Sequence, residues 1–117
     1  MHEFSVSAVA AVLDFAVLKP NQTSADIDSA AALCGQLSIG CLCVQPNDVC
    51  RAARLLHDQK TVVASVVGFP HGANTTAIKV HEARIAIEDG ARELDMVIAL
   101  QALREGDHTT VHDDIAA

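Results

Sequence analysis

The sequence predicts an α/β protein made of parallel βα units. Three observations carry that prediction. Short apolar runs of strand length alternate with longer segments of helical period. The apolar half of the chain is Ala, Val, Leu and Ile, with three Phe, no Trp and no Tyr, a mix suited to a sheet covered by helices. Three of the predicted strands run into an X-Pro step, at Lys19-Pro20, Gln45-Pro46 and Phe69-Pro70. Proline disfavours helix in the residue before it, so each step carries the chain extended past a strand end.

Taken in order, Val12-Leu13 closes a first short apolar run that ends at Asp14. Thr23 to Leu37 reads as a helix. Thr23 and Asp26 form a capping-box pattern, and Ile27, Ala30, Ala31, Cys34 and Leu37 make one apolar stripe. Ile39 to Val44 reads as a second strand. Asn47 to Leu56 is helical, with Val49, Ala52, Ala53 and Leu56 inward. Thr61 to Val67 is a continuous apolar run, as expected of a strand buried on both faces. Thr75 or Thr76 caps the next helix, which packs through Val80, Ala83 and Ile87 and stops at Gly90. Leu94 to Ile98 is a fourth strand, and a last helix begins after Asp107. Strand then helix, four times over, means parallel βαβ connections. The 117 residues suffice for one domain, and an open doubly wound sheet and part of a closed barrel both fit the pattern. No Gly-x-Gly-x-x-Gly or Gly-x-x-x-x-Gly-Lys-Ser/Thr follows a strand, which weakens the nucleotide-binding open sheets.

Formal net charge is −7; an acidic surface repels phosphate backbones, so nucleic acid is not an expected partner. The longest uncharged run, Ser29–Asn47, carries Gly35, Gln36, Ser38 and Gly40 and does not read as a membrane span. With no signal-peptide pattern, cytoplasm is the expected location. Cys34, Cys41, Cys43 and Cys50 form no Cys-x-x-Cys pair and read as small buried hydrophobes in a reducing compartment, with a metal site or a disulfide as the competing reading.

Asp95 is the most informative residue, a carboxylate inside the apolar run Leu94-Asp95-Met96-Val97-Ile98. Burying a carboxylate costs several kcal/mol unless it is paired or protonated, so it serves a structural ion pair or chemistry. Asp14 raises the same question at the end of the first strand, against a loop-fixing role. His71, before Gly72, reads as a backbone hydrogen-bonder with acid–base chemistry as the alternative. Lys79 reads as a solvated residue paired with Glu82 three positions on. His81-Glu82 lacks the second His of a zinc-protease helix, since position 85 is Ile. His108 and His112 have metal-ligand spacing but read as an exposed face.

Five blocks, in order, resemble the deoxyribose-phosphate aldolase family. They are Leu13-Asp14-Phe15-Ala16-Val17-Leu18-Lys19-Pro20, Cys43-Val44-Gln45-Pro46, Val66-Val67-Gly68-Phe69-Pro70-His71-Gly72-Ala73 with Thr75, Thr76 and Lys79, Gly90-Ala91-Arg92-Glu93-Leu94-Asp95-Met96-Val97-Ile98, and Ala102-Leu103-Arg104-Glu105-Gly106-Asp107. The resemblance implies the first half of a (β/α)₈ TIM barrel, as one partial-barrel domain over residues 1–117. It implies a metal-free, cofactor-free class I aldolase. That enzyme reversibly cleaves 2-deoxyribose 5-phosphate to glyceraldehyde 3-phosphate and acetaldehyde through a lysine Schiff base. Asp95 then matches the catalytic aspartate, a proton donor and acceptor acting with a water, and Asp14 an active-site aspartate; Cys43 and Lys19 are expected to contact substrate.

Two departures stand out. The family has His-Thr where this chain has Phe15-Ala16. Its Schiff-base lysine, the partner lysine that lowers the amine's pKa, and its phosphate-binding loops belong to the second half of the barrel, and none of Lys19, Lys60 and Lys79 ends a strand. The isolated chain is therefore expected to be inactive. A small phosphorylated sugar or aldehyde is the expected ligand and a homo-oligomer the expected state. A non-catalytic, self-associating α/β module and another (β/α) enzyme using the two aspartates, such as an isomerase, are the alternatives.

Overall fold

The structure is a computed structural model and describes residues 4–117. Four strands, β1 (Asp14–Val17), β2 (Cys41–Val44), β3 (Val62–Val67) and β4 (Glu93–Met96), form one sheet in the order β1-β2-β3-β4, every neighbour parallel. Asp14 pairs with Cys41, Cys41 with Val62, and Val66 with Asp95. Among the described residues six α-helices flank or connect them: α1 (Val6–Ala10), α2 (Ser24–Leu37), α3 (Val49–Leu55), α4 (Thr76–Glu88), α5 (Leu100–Glu105) and α6 (His108–Ala116).

Helix α2 starts as its sequence requires. The Asp26 carboxylate accepts from both the backbone N–H and the hydroxyl of Thr23, at 2.7 and 2.8 Å, which satisfies a donor the helix itself leaves free. Ile27, Ala30, Ala31 and Cys34 then face inward and are buried, joining Leu42, Val44, Val49, Ala52, Leu56 and Val63 in the main core. Complete burial of a side chain such as Ile27 contributes roughly 2 kcal/mol. A second, smaller cluster of Cys41, Cys43, Ala64 and Val66 lies on the opposite face of the sheet. Alternation along each strand thus separates a helix-facing side from an inner side.

Several elements differ from the sequence reading. Strand β1 begins at Asp14 rather than ending there, because Val12 and Leu13 close the turn after α1 through N–H bonds to the carbonyls of Val9 and Ala10. Ile39 and Gly40 precede β2, and β4 runs Glu93–Met96 rather than Leu94–Ile98. Short helices α1 and α5 have no counterpart in the reading; each is too short to show a period. Leu37 and Ile87 are exposed, not inward. Cys50 is exposed, while Cys34, Cys41 and Cys43 are buried, and all four are free thiols.

Gly72 closes the turn after β3. Its φ is +65°, and its N–H bonds the Gly68 carbonyl at 2.7 Å. A Cβ there would lie 2.1 Å from the Ile98 carbonyl oxygen, so both backbone conformation and space demand glycine. Gly72→Ala is expected to lower the unfolding free energy by about 3 kcal/mol. The urea midpoint measures this, and an unchanged midpoint would contradict the turn as described.

Candidate active site

The inner face is where the chemistry-bearing residues meet. Asp14, Cys41 and Glu93 are the first residues of β1, β2 and β4, and their ligand atoms lie within 4.8 Å of one another. Two residues further along, toward the C-terminal strand ends, the Cys43 thiol donates to the Asp95 carboxylate at 3.3 Å. In barrels of parallel strands, active sites sit toward those ends.

Two carboxylates and two thiols set the electrostatics. Cys41 and Cys43 are both pushed up to about 12. Burial is the main cause for each. The Asp95 hydrogen bond and charge come next for Cys43, and the charges of Asp14 and Glu93 for Cys41. Both thiols are therefore protonated at neutral pH rather than nucleophilic, and Cys43 acts as a donor to Asp95. Asp14, Cys41 and Glu93 are the group best placed to hold a metal ion among the described residues, although both carboxylates are exposed.

Asp95 is exposed, which corrects the reading of a buried carboxylate. Among the described residues β4 has a neighbour on one side only, and most of the strand is exposed. Asp14 shares that face and is also exposed. Lys19 is not brought to Asp95. It follows β1 and lines a polar cleft of about 250 Å³ with Gln22, Thr23, Gln45, Asn47 and Asp48. That cleft is held together by bonds from Gln22 Nε2 to Asp48 and from Gln45 Nε2 to the Leu18 carbonyl, both at 2.9 Å. His71 is exposed, and its ring makes no hydrogen bond among the described residues.

Lys79 is the largest correction. It is 2% exposed rather than solvated. Its ammonium pairs with Asp114 of α6 and donates to the Val97 carbonyl at 2.9 Å, while Asp114 accepts from the Thr76 hydroxyl at 2.8 Å. Burial alone would raise the Asp114 carboxyl, but the bonds from Lys79 and Thr76 outweigh it and hold the group below its ordinary value. Glu82, the expected partner of Lys79, instead accepts from the Gly68 N–H at 2.6 Å. Glu93 was also overlooked, although it stands two residues before Asp95 and so shares its face.

The fold and the inner face define the class: four parallel βα units, half the number of a (β/α)₈ barrel. No protein-family model matches the chain. Curated relatives do. Deoxyribose-phosphate aldolases of Carboxydothermus hydrogenoformans and Crocosphaera subtropica are 40% identical over 111 residues and 38% over 109, covering 95% and 93% of this chain and 49% of each relative. The crystal structure of a putative deoxyribose-phosphate aldolase from Coccidioides immitis superposes with a TM-score of 0.93 at 34% identity, over 98% of this chain and 46% of that one. A tetrameric deoxyribose phosphate aldolase from Aeropyrum pernix superposes with a TM-score of 0.75 at 27% identity, over 79% and 39%. The chain is a homologue of the first half of deoxyribose-phosphate aldolases, and spans about half the length of the curated relatives it matches. No helix among the described residues is long and apolar enough to cross a membrane.

Proposed function

We propose that this chain is the half of a deoxyribose-phosphate aldolase that carries the proton-handling aspartate. It forms a single partial-barrel domain. The observation that carries this reading is Asp95, held against Cys43 on the inner face within the Glu93–Met96 strand of a chain that matches aldolases at about 40% identity. The reaction is reversible cleavage of 2-deoxyribose 5-phosphate to glyceraldehyde 3-phosphate and acetaldehyde. A lysine from outside these residues forms the Schiff base with the aldehyde carbon. Asp95, through a water, takes and returns the proton as the carbon–carbon bond breaks and forms. Asp14 adds negative charge on the same face, and the protonated Cys43 thiol donates to Asp95. Lys19, in the polar cleft beyond β1, contacts polar groups of the substrate away from its reacting carbon. The assembly is a homo-oligomer and works in the cytoplasm, without metal or cofactor.

The test joins this chain to the second half of the Carboxydothermus hydrogenoformans relative. The chimera is expected to cleave 2-deoxyribose 5-phosphate, and Asp95→Asn within it to lower kcat by roughly 10²-fold or more. A folded chimera without cleavage, or one indifferent to Asp95→Asn, would count against the reading.

A further inference from the structure

Lys79 is a buried cation that the proposed chemistry leaves unused. Its stem packs on Gly68, where an added Cβ would come within 3.0 Å of Lys79 Cε. Its ammonium holds the Val97 carbonyl, and the Val97 N–H bonds the Val67 carbonyl at 2.9 Å. The Val97 backbone is thus pinned through both its groups. β4 pairs with β3 alone among the described residues, so no second strand restrains that end. Asp95 lies two residues before Val97, which directly follows the last residue of β4, and an extended chain does not stretch. A shift at Val97 therefore passes to Asp95.

We propose that Lys79 is a positioning residue, which holds the Val97 carbonyl and so fixes the end of β4 from which Asp95 meets Cys43. Asp114 and Thr76 orient the ammonium for that task. A bare fastening of α6 to α4 would need the ion pair but not the bond to Val97. The consequence for turnover rests on the aldolase reading; the geometry at Cys43 does not, so the two can fail separately.

The experiment alkylates the 117-residue chain with iodoacetamide at about pH 8.5 and follows Cys43 and Cys41 separately by peptide mass spectrometry. Thiolate fraction sets the rate, and one unit of thiol pKa is about tenfold. Asp95→Asn is expected to raise the Cys43-to-Cys41 rate ratio about tenfold. Lys79→Met is expected to raise it at least about threefold, as Asp95 drifts from the thiol. Lys79→Arg, which keeps a cationic donor, should stay within about twofold of the unaltered chain. Should Lys79→Met not fold, Asp114→Asn releases the ammonium instead, and a rise of the same sign is expected. An unchanged ratio in the Lys79 and Asp114 variants, equal acceleration of both thiols, or indifference of Cys43 to Asp95→Asn would overturn the proposal.

Discussion

Treated with acetaldehyde and borohydride, the 117-residue chain alone is expected to gain no stoichiometric adduct on any lysine. It should also cleave 2-deoxyribose 5-phosphate no faster than background, at least about 10⁴-fold below a complete barrel. A Schiff base needs a free amine within reach of the carbonyl and of the group that moves the proton. Lys79 cannot serve: its ammonium is buried and committed to Asp114 and the Val97 carbonyl. Lys19 is exposed in the polar cleft beyond β1. Lys60 is exposed and precedes β3, so it stands at the opposite end of the strands from the expected site. Cys41 and Cys43 offer no alternative nucleophile, because their thiols titrate near 12. Mass spectrometry of the reduced protein decides the matter. A full adduct on Lys19, Lys60 or Lys79, accompanied by turnover, would mean that this half holds a complete site.

In solution the chain is expected to be a dimer or larger. Among the described residues, strands β1 and β4 each lack one neighbour, and unpaired edges invite pairing with another chain. Beside β4, a groove of about 590 Å³ is lined by Val80, Ala83, Ile87, Leu94, Met96 and Ile115. Beside β1, one of about 520 Å³ is lined by Phe15, Val17, Ala30 and Leu33 among others. Two copies meeting β4 to β1 on both sides would complete an eight-stranded ring and cover all four grooves. Such a ring would gather Asp14, Glu93 and Asp95 from each copy, so its association should tighten as salt screens them. Sedimentation equilibrium at micromolar concentration, with and without added salt, reads both effects. A monodisperse 12.3 kDa species that unfolds cooperatively would show that four units are stable alone.

The strand–helix alternation was legible because burial on the helix side follows simple periods. Ile27, Ala30, Ala31 and Cys34 repeat at helical spacing and are buried together. Val62–Val67 is apolar but for Ser65, and nearly all of it is buried. The inner face was legible only in part. Asp95 announced itself as a charge among apolar residues, but Glu93 was hidden at the strand's start, where charges are ordinary. Lys79 misled because its spacing to Glu82 satisfies a local helical rule, while its actual partner, Asp114, stands 35 residues away. Long-range pairing of that kind leaves no periodic trace. Leu37 and Ile87 failed for the converse reason: helical phase places them inward, yet nothing described packs over them.

The sheet order has a consequence for how the chain comes into being. Because every strand pairs with the one before it in sequence, the fold can grow in the direction of synthesis. β2 meets β1 after one helix has emerged, β3 adds to β2, and β4 adds to β3, with no strand waiting for a distant partner. Each addition closes only the loop of a single βα unit, so the entropy of closure is met in small steps. The link of Asp114 onto Lys79 follows when α6 emerges. A nascent chain built this way keeps a fixed edge at β1 and a second edge that moves forward with translation, and α6 fastens the fourth unit behind it.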